Sequence, residues 1–218
     1  AHTVVIPILN IYGTGGKLQE RLPDMTVTDG CIYIASQIKE PGKILMSGKI
    51  FRVVYGLRKG TPEETVKNVM PVLKKIEADL KEAQILPMLS SNIERDALEK
   101  FSFISPMAAV GACWEVSSEA MQPGGEKRET FIELIKEIQK IASAMGVDLP
   151  ENIVDINLKI MDDLAPTATA SMQRDIDAGK QSEADGLIYQ VERLGEEYQV
   201  DVPMYKEIGE KLRERLGN

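Results

Sequence analysis

Lys100 stands out in this chain of 218 residues because of its surroundings. On a helix its neighbours at i−3, i+3, i+4 and i+7 are Ala97, Phe103, Ile104 and Met107, all apolar. A lysine in an apolar stripe either carries its ammonium out to water on a methylene stem or puts it to use. Partial loss of water would lower its pKa from about 10.4 toward about 7–8, where it can serve as a general acid. Both readings are open at this point. Ser171 and Asp175 share a helix face at i,i+4, and Glu183 opens the next predicted helix. By spacing alone these residues are slender evidence of a site. Ser171 can bond its own backbone, and Glu183 can simply favour the positive end of a helix dipole.

Other chemistry is short of residues. The one histidine is His2, read as an exposed terminal side chain, so a Ser-His-Asp triad or a multi-histidine zinc site has almost nothing to work with. Cys31 and Cys113 form no CxxC, cannot make a zinc site unaided, and fit a reducing cytosol with no disulfide suggested. No metal is expected. Gly13-Thr14-Gly15-Gly16 lacks the spacing of a phosphate loop, and Leu18 stands where GxGxxG needs its third glycine, so a plain loop is predicted. The balance of 26 basic against 34 acidic residues gives −8, which repels phosphate backbones and argues against nucleic acid. Apolar residues make up 43%, enough for a core, and no run is long enough to cross a membrane.

The elements that must hold these residues fall into two kinds. Thr3–Leu9 is an apolar, β-branched run suited to a strand buried on both faces. Residues 30–35 and 43–55 read as antiparallel strands turning at Pro41-Gly42. Thr61-Pro62-Glu63-Glu64 predicts a capping box, and the helix after it should kink or divide at Pro71. Residues 84–88 suit a short strand. From about residue 91 every segment is helical, with helices near 126–145, 150–164, 167–178, 183–199 and 203–216. The fold class is therefore an α/β piece followed by an all-α domain. So small an α/β piece cannot cover two sheet faces, so the chain reads as lacking the front of a larger sheet.

The block from Ser171 to Asp185, SMQRDIDAGKQSEAD, resembles the Ser-Met-x-x-Asp, Gly, Glu-x-Asp pattern of the ketopantoate reductases (2-dehydropantoate 2-reductases). Val200-Asp201-Val202-Pro203 is similar to that family's Val-x-x-Pro, and Arg95–Phe101 to its lysine-bearing helix. Pro41-Gly42 and Asn10, at a strand end, also fit. The resemblance implies that residues 1–90 are the C-terminal part of an NADP-binding Rossmann-type domain. Residues 91–218 would be a helical substrate domain like the C-terminal domain of 6-phosphogluconate dehydrogenase. It implies NADPH-dependent reduction of 2-dehydropantoate to pantoate, a step toward pantothenate and coenzyme A, in the cytoplasm, with a homodimer allowed. Lys100 would donate the proton, Glu183 would orient it, Ser171 would bind the substrate, and Asn10 would lie between nicotinamide and substrate. Without the glycine fingerprint this stretch is expected to bind NADPH weakly by itself.

The chain departs from the family pattern at telling places. Ile11 follows Asn10 where glycine is usual, and Tyr189 replaces a glycine. Ile104 and Ala108 occupy the substrate-binding positions where asparagines usually stand, with Ser102 and Ser105 as nearby hydroxyls able to take over. The alternatives are a relative acting on a less polar 2-oxo acid and a non-catalytic ligand-binding or interaction protein that kept the helical domain.

Overall fold

The computed structural model describes residues 3–217, so His2 lies outside the described residues. The chain divides into two compact units, Ala1–Ala97 and Leu98–Asn218.

In the first unit, β1 (Val4–Val5) pairs in parallel with β2 (Thr26–Val27). The expected strand over Thr3–Leu9 is thus much shorter, and it is not buried on both faces: Ile8 and Leu9 are exposed. Among the described residues β2 is its sole neighbour, so no sheet surrounds it. Between them lies α1 (Thr14–Arg21), a helix where a loop was expected. Three further strands order as β3 (Asp29–Glu40), β4 (Lys43–Gly56) and β5 (Leu86–Leu89). The β3–β4 pairing is antiparallel through Gly42, whose φ of 80° suits the turn, and β4–β5 is parallel. Residues 35–50, the far end of the hairpin, are exposed throughout.

The parallel connection is made by α2 (Glu63–Glu82). Its apolar face, Val69 and Leu73, joins Val53 and Tyr55 in one core cluster, and the Tyr55 hydroxyl donates to the Leu73 carbonyl at 2.9 Å. The capping box does not form, because the Thr61 hydroxyl donates to the Arg58 carbonyl and Pro62 takes the cap position. Pro71 does not divide α2. It sits on the exposed face, where water can satisfy the Lys67 carbonyl it leaves without a donor.

The helices follow in sequence order. α3 (Ile93–Trp114) begins in the first unit; α4 (Glu126–Ala144), α5 (Ile153–Asp162), α6 (Ser171–Asp177), a π-helix (Asp185–Tyr189), α7 (Gln190–Glu197) and α8 (Pro203–Leu216) belong to the second. α4 lies at the centre. Its stripe of Phe131, Leu134, Ile135, Ile138, Ile141 and Ala142 is buried against α5, α7 and α8. The expected α/β piece and helical domain are both present.

Candidate active site

Lys100 occupies the second turn of α3 and keeps 8% of its surface exposed. That is little for a side chain carrying its ammonium freely into water. Glu183 lies between α6 and the π-helix, half-buried. Burial pushes its carboxyl above the ordinary value, the Asp175 carboxylate pushes it further, and the Lys100 ammonium pulls it back. Two helices and the segment after α6 thus bring a lysine and two carboxylates within electrostatic reach of one another. Sequence spacing had linked Asp175 with Ser171 alone.

The Glu183 backbone starts the helix that follows. Its carbonyl accepts the Gly186 and Leu187 N–H groups at 3.0 and 2.9 Å. The chain then runs through the π-helix, a wider turn that occurs mostly as single insertions and often at functional sites. Ser171 is the first residue of α6 and is exposed, with Asp175 one turn on and half-buried.

The α3 face beyond Lys100 is apolar. Ile104 is half-buried one turn on, and Ala108 is fully buried. The two serines named as able to take over from the missing amides are both engaged. Ser102 donates to the Glu99 carbonyl at 2.7 Å and accepts from Asn157 Nδ2 at 3.0 Å. Ser105 donates to the Leu187 carbonyl and bonds Tyr205, both at 2.6 Å. Sequence reading missed these bonds, since their partners lie 82 and 100 positions away. Tyr189 places its ring 4.4 Å from the Arg213 guanidinium carbon, a cation–π contact, and so packs toward α8.

Asn10 belongs to the first unit. It is half-buried and stands beyond β1 rather than at a strand end. The nearby Gly15 is buried, and its N–H donates to Asp29 Oδ1 at 2.7 Å. A Cβ there would collide with the Thr28 carbonyl oxygen and the Asp29 carboxylate. This glycine is therefore required by protein packing, and its amide is bonded to Asp29 rather than open to a phosphate.

Residues 92–215 match the family described as the C-terminal part of ketopantoate reductase PanE/ApbA. The chain belongs to the ketopantoate reductase family. Lys100, Asp175 and Glu183 all fall inside that matched segment. An uncharacterized oxidoreductase of Bacillus subtilis, YkpB, is 24% identical over 185 residues, covering 85% of this chain and 59% of that protein. A dimeric ketopantoate reductase from Staphylococcus aureus superposes with a TM-score of 0.82 at 20% identity, over 99% of this chain and 68% of the other. D-mandelate dehydrogenase in its ternary structure with NADH and anilino(oxo)acetate gives 0.85 at 18% identity, over 99% and 68%. At such identities the structural likenesses establish that this chain has the ketopantoate reductase fold. Among the described residues, no cluster could hold a metal ion and no helix is long and apolar enough to cross a membrane.

Proposed function

We propose that this chain supplies the substrate-binding and proton-donating side of an NADPH-dependent reductase. The reductase would convert a 2-oxo acid, 2-dehydropantoate in the first reading, to its 2-hydroxy acid. The observation that carries this is the nearly buried Lys100 set against Glu183 within the family's own segment. When the ketone carbon of a 2-oxo acid receives hydride, negative charge grows on its oxygen. Lys100 Nζ hydrogen-bonds that oxygen and then gives it a proton, leaving a neutral amine that is reprotonated from solvent. Glu183 holds the ammonium by a charge-assisted hydrogen bond and fixes its direction. Ser171, exposed at the start of α6, binds the polar end of the substrate.

The hydride comes from the nicotinamide cofactor. Residues 1–90 are assigned to its Rossmann-type domain and Asn10 to the cofactor side, while Gly15 serves packing. A cytoplasmic dimer goes with this reading, supported by the dimeric relative from Staphylococcus aureus.

A second reading is favoured by Ile104. Ala108 is fully buried, which corrects its expected place against the substrate, and Ser102 and Ser105 are engaged elsewhere. The open part of this face is the apolar Ile104, and a less hydroxylated 2-oxo acid suits it better.

The test is an assay of the protein from its complete gene for NADPH and NADH oxidation, with 2-dehydropantoate and a panel of 2-oxo acids. Saturable turnover with one of them is expected. No turnover with any would overturn the reductase reading.

A further inference from the structure

Ser105 lies five positions after Lys100 on α3. Its hydroxyl hydrogen is given to the Leu187 carbonyl at 2.6 Å. The Ser105–Tyr205 contact, also 2.6 Å, must then have Tyr205 as donor. Ser105 and Tyr205 are fully buried and Leu187 is 1% exposed, so water does not compete for these bonds. Leu187 is the middle residue of the π-helix, and its own N–H bonds the Glu183 carbonyl at 2.9 Å. The linkage is closed: from Lys100 along α3 to Ser105, across to Leu187, back to Glu183, and from Glu183 through space to Lys100.

We infer that Ser105, buttressed by Tyr205, is a positioning residue that fixes the π-helix against α3 so that Glu183 meets Lys100. The inference rests on the reading that Lys100 and Glu183 act together in catalysis. Apolar side chains would fill the same space but would leave the π-helix free to turn about its axis. Two directional hydrogen bonds in series do not. The groups acting on the Glu183 carboxyl are Asp175 from α6 and Lys100 from α3. Rotation away from Lys100 would leave the push of burial and Asp175 in place and weaken the pull.

The experiment follows Glu183 by carboxyl-carbon NMR titration in this chain, and kcat and KM in the protein from the complete gene. Ser105→Ala is expected to raise the Glu183 midpoint by about half a pH unit or more. It should lower kcat about 10-fold with little change in KM, the scale of a slight misplacement of a reacting group. Tyr205→Phe should move both in the same direction by less, and Ser105→Thr, which keeps the hydroxyl, should restore both. Asn157→Ala removes buried hydrogen bonds to Ser102 and serves as a control for general loosening, with the Glu183 midpoint unmoved. A folded Ser105→Ala protein with an unchanged midpoint and kcat would overturn the inference. If that variant does not fold, an unchanged midpoint and kcat in Tyr205→Phe would overturn it instead. Failure of the catalytic reading looks different: Lys100→Ala would leave turnover intact, whatever Ser105→Ala does to the Glu183 midpoint.

Discussion

The Glu137 carboxylate on α4 accepts the backbone N–H of Tyr205 on α8 at 3.0 Å, and that of Met204 at 2.8 Å. No side chain of α8's own cap residue does this work, and Pro203 at the first position has no N–H. Glu137 is 3% exposed, so its removal leaves two donors facing a dry gap. Glu137→Ala is expected to lower unfolding free energy by about 2–4 kcal/mol, and Glu137→Gln by less, since the amide oxygen can still accept. Urea unfolding measures both. A loss in the alanine variant below about 0.5 kcal/mol would mean that water reaches the helix start.

Lys100→Ala in the protein from the complete gene is expected to lower kcat by at least about 10²-fold, the scale of a lost general acid. Steady-state reduction of the preferred 2-oxo acid is the measurement. Turnover near that of the wild type would return Lys100 to the class of side chains that merely reach for solvent.

Glu183 and Glu137 both have carboxyls raised above the ordinary 4.5, chiefly by burial. The folded state therefore holds these protons more tightly than the unfolded state. The stabilisation is full below the unfolded value and is lost as pH rises through the folded one. Glu183→Gln should flatten the decline in stability above pH 4.5 and be at least as stable as the wild type at neutral pH. Denaturant midpoints across that pH range decide it. A steeper decline in the variant would contradict the assignment.

Substrate preference should follow the apolar wall. A hydroxyl buried against Ile104 loses a partner at a cost of about 1–3 kcal/mol. The protein from the complete gene is expected to prefer 3,3-dimethyl-2-oxobutanoate to 2-dehydropantoate, its hydroxylated counterpart, in kcat/KM. A preference for 2-dehydropantoate of about 10²-fold would show that other polar groups recognise the hydroxyl.

Gly15→Ala should destabilise the first unit by about 1–3 kcal/mol, because the added methyl must displace the Thr28 carbonyl or the Asp29 carboxylate. Thermal unfolding reads this directly. An unchanged midpoint would mean that α1 shifts freely and that the packing account of this glycine is wrong.

The helical half was legible because its burial is periodic. The stripe from Phe131 to Ala142 marks α4, and Gly146, at φ 70°, ends its run. The hairpin was legible from Pro41-Gly42. α1 was not, since a helix opening Thr-Gly-Gly has poor intrinsic propensity and its start is held by Asp29, fourteen residues on. The shortness of β1 has a related reason. An apolar run announces burial without saying how many neighbours will supply it. In the candidate site, Lys100 is singled out by its apolar neighbours and Glu183 by its motif. The Ser105–Leu187–Tyr205 linkage left no trace, because one of its members is a main-chain carbonyl, which carries no residue identity.

The π-helix makes the number of residues after Glu183 as consequential as their kind. It holds one residue more per turn-closing bond than an α-helix does, while α7 beyond it is anchored by the buried Val191 and Gly195. Deleting any single residue from Asp185 to Tyr189 would let an ordinary α-helix run on, and would swing Glu183 about 100° around the axis. Two relatives could share each named side chain and still differ in how Glu183 is turned, through one codon gained or lost in the segment beside it.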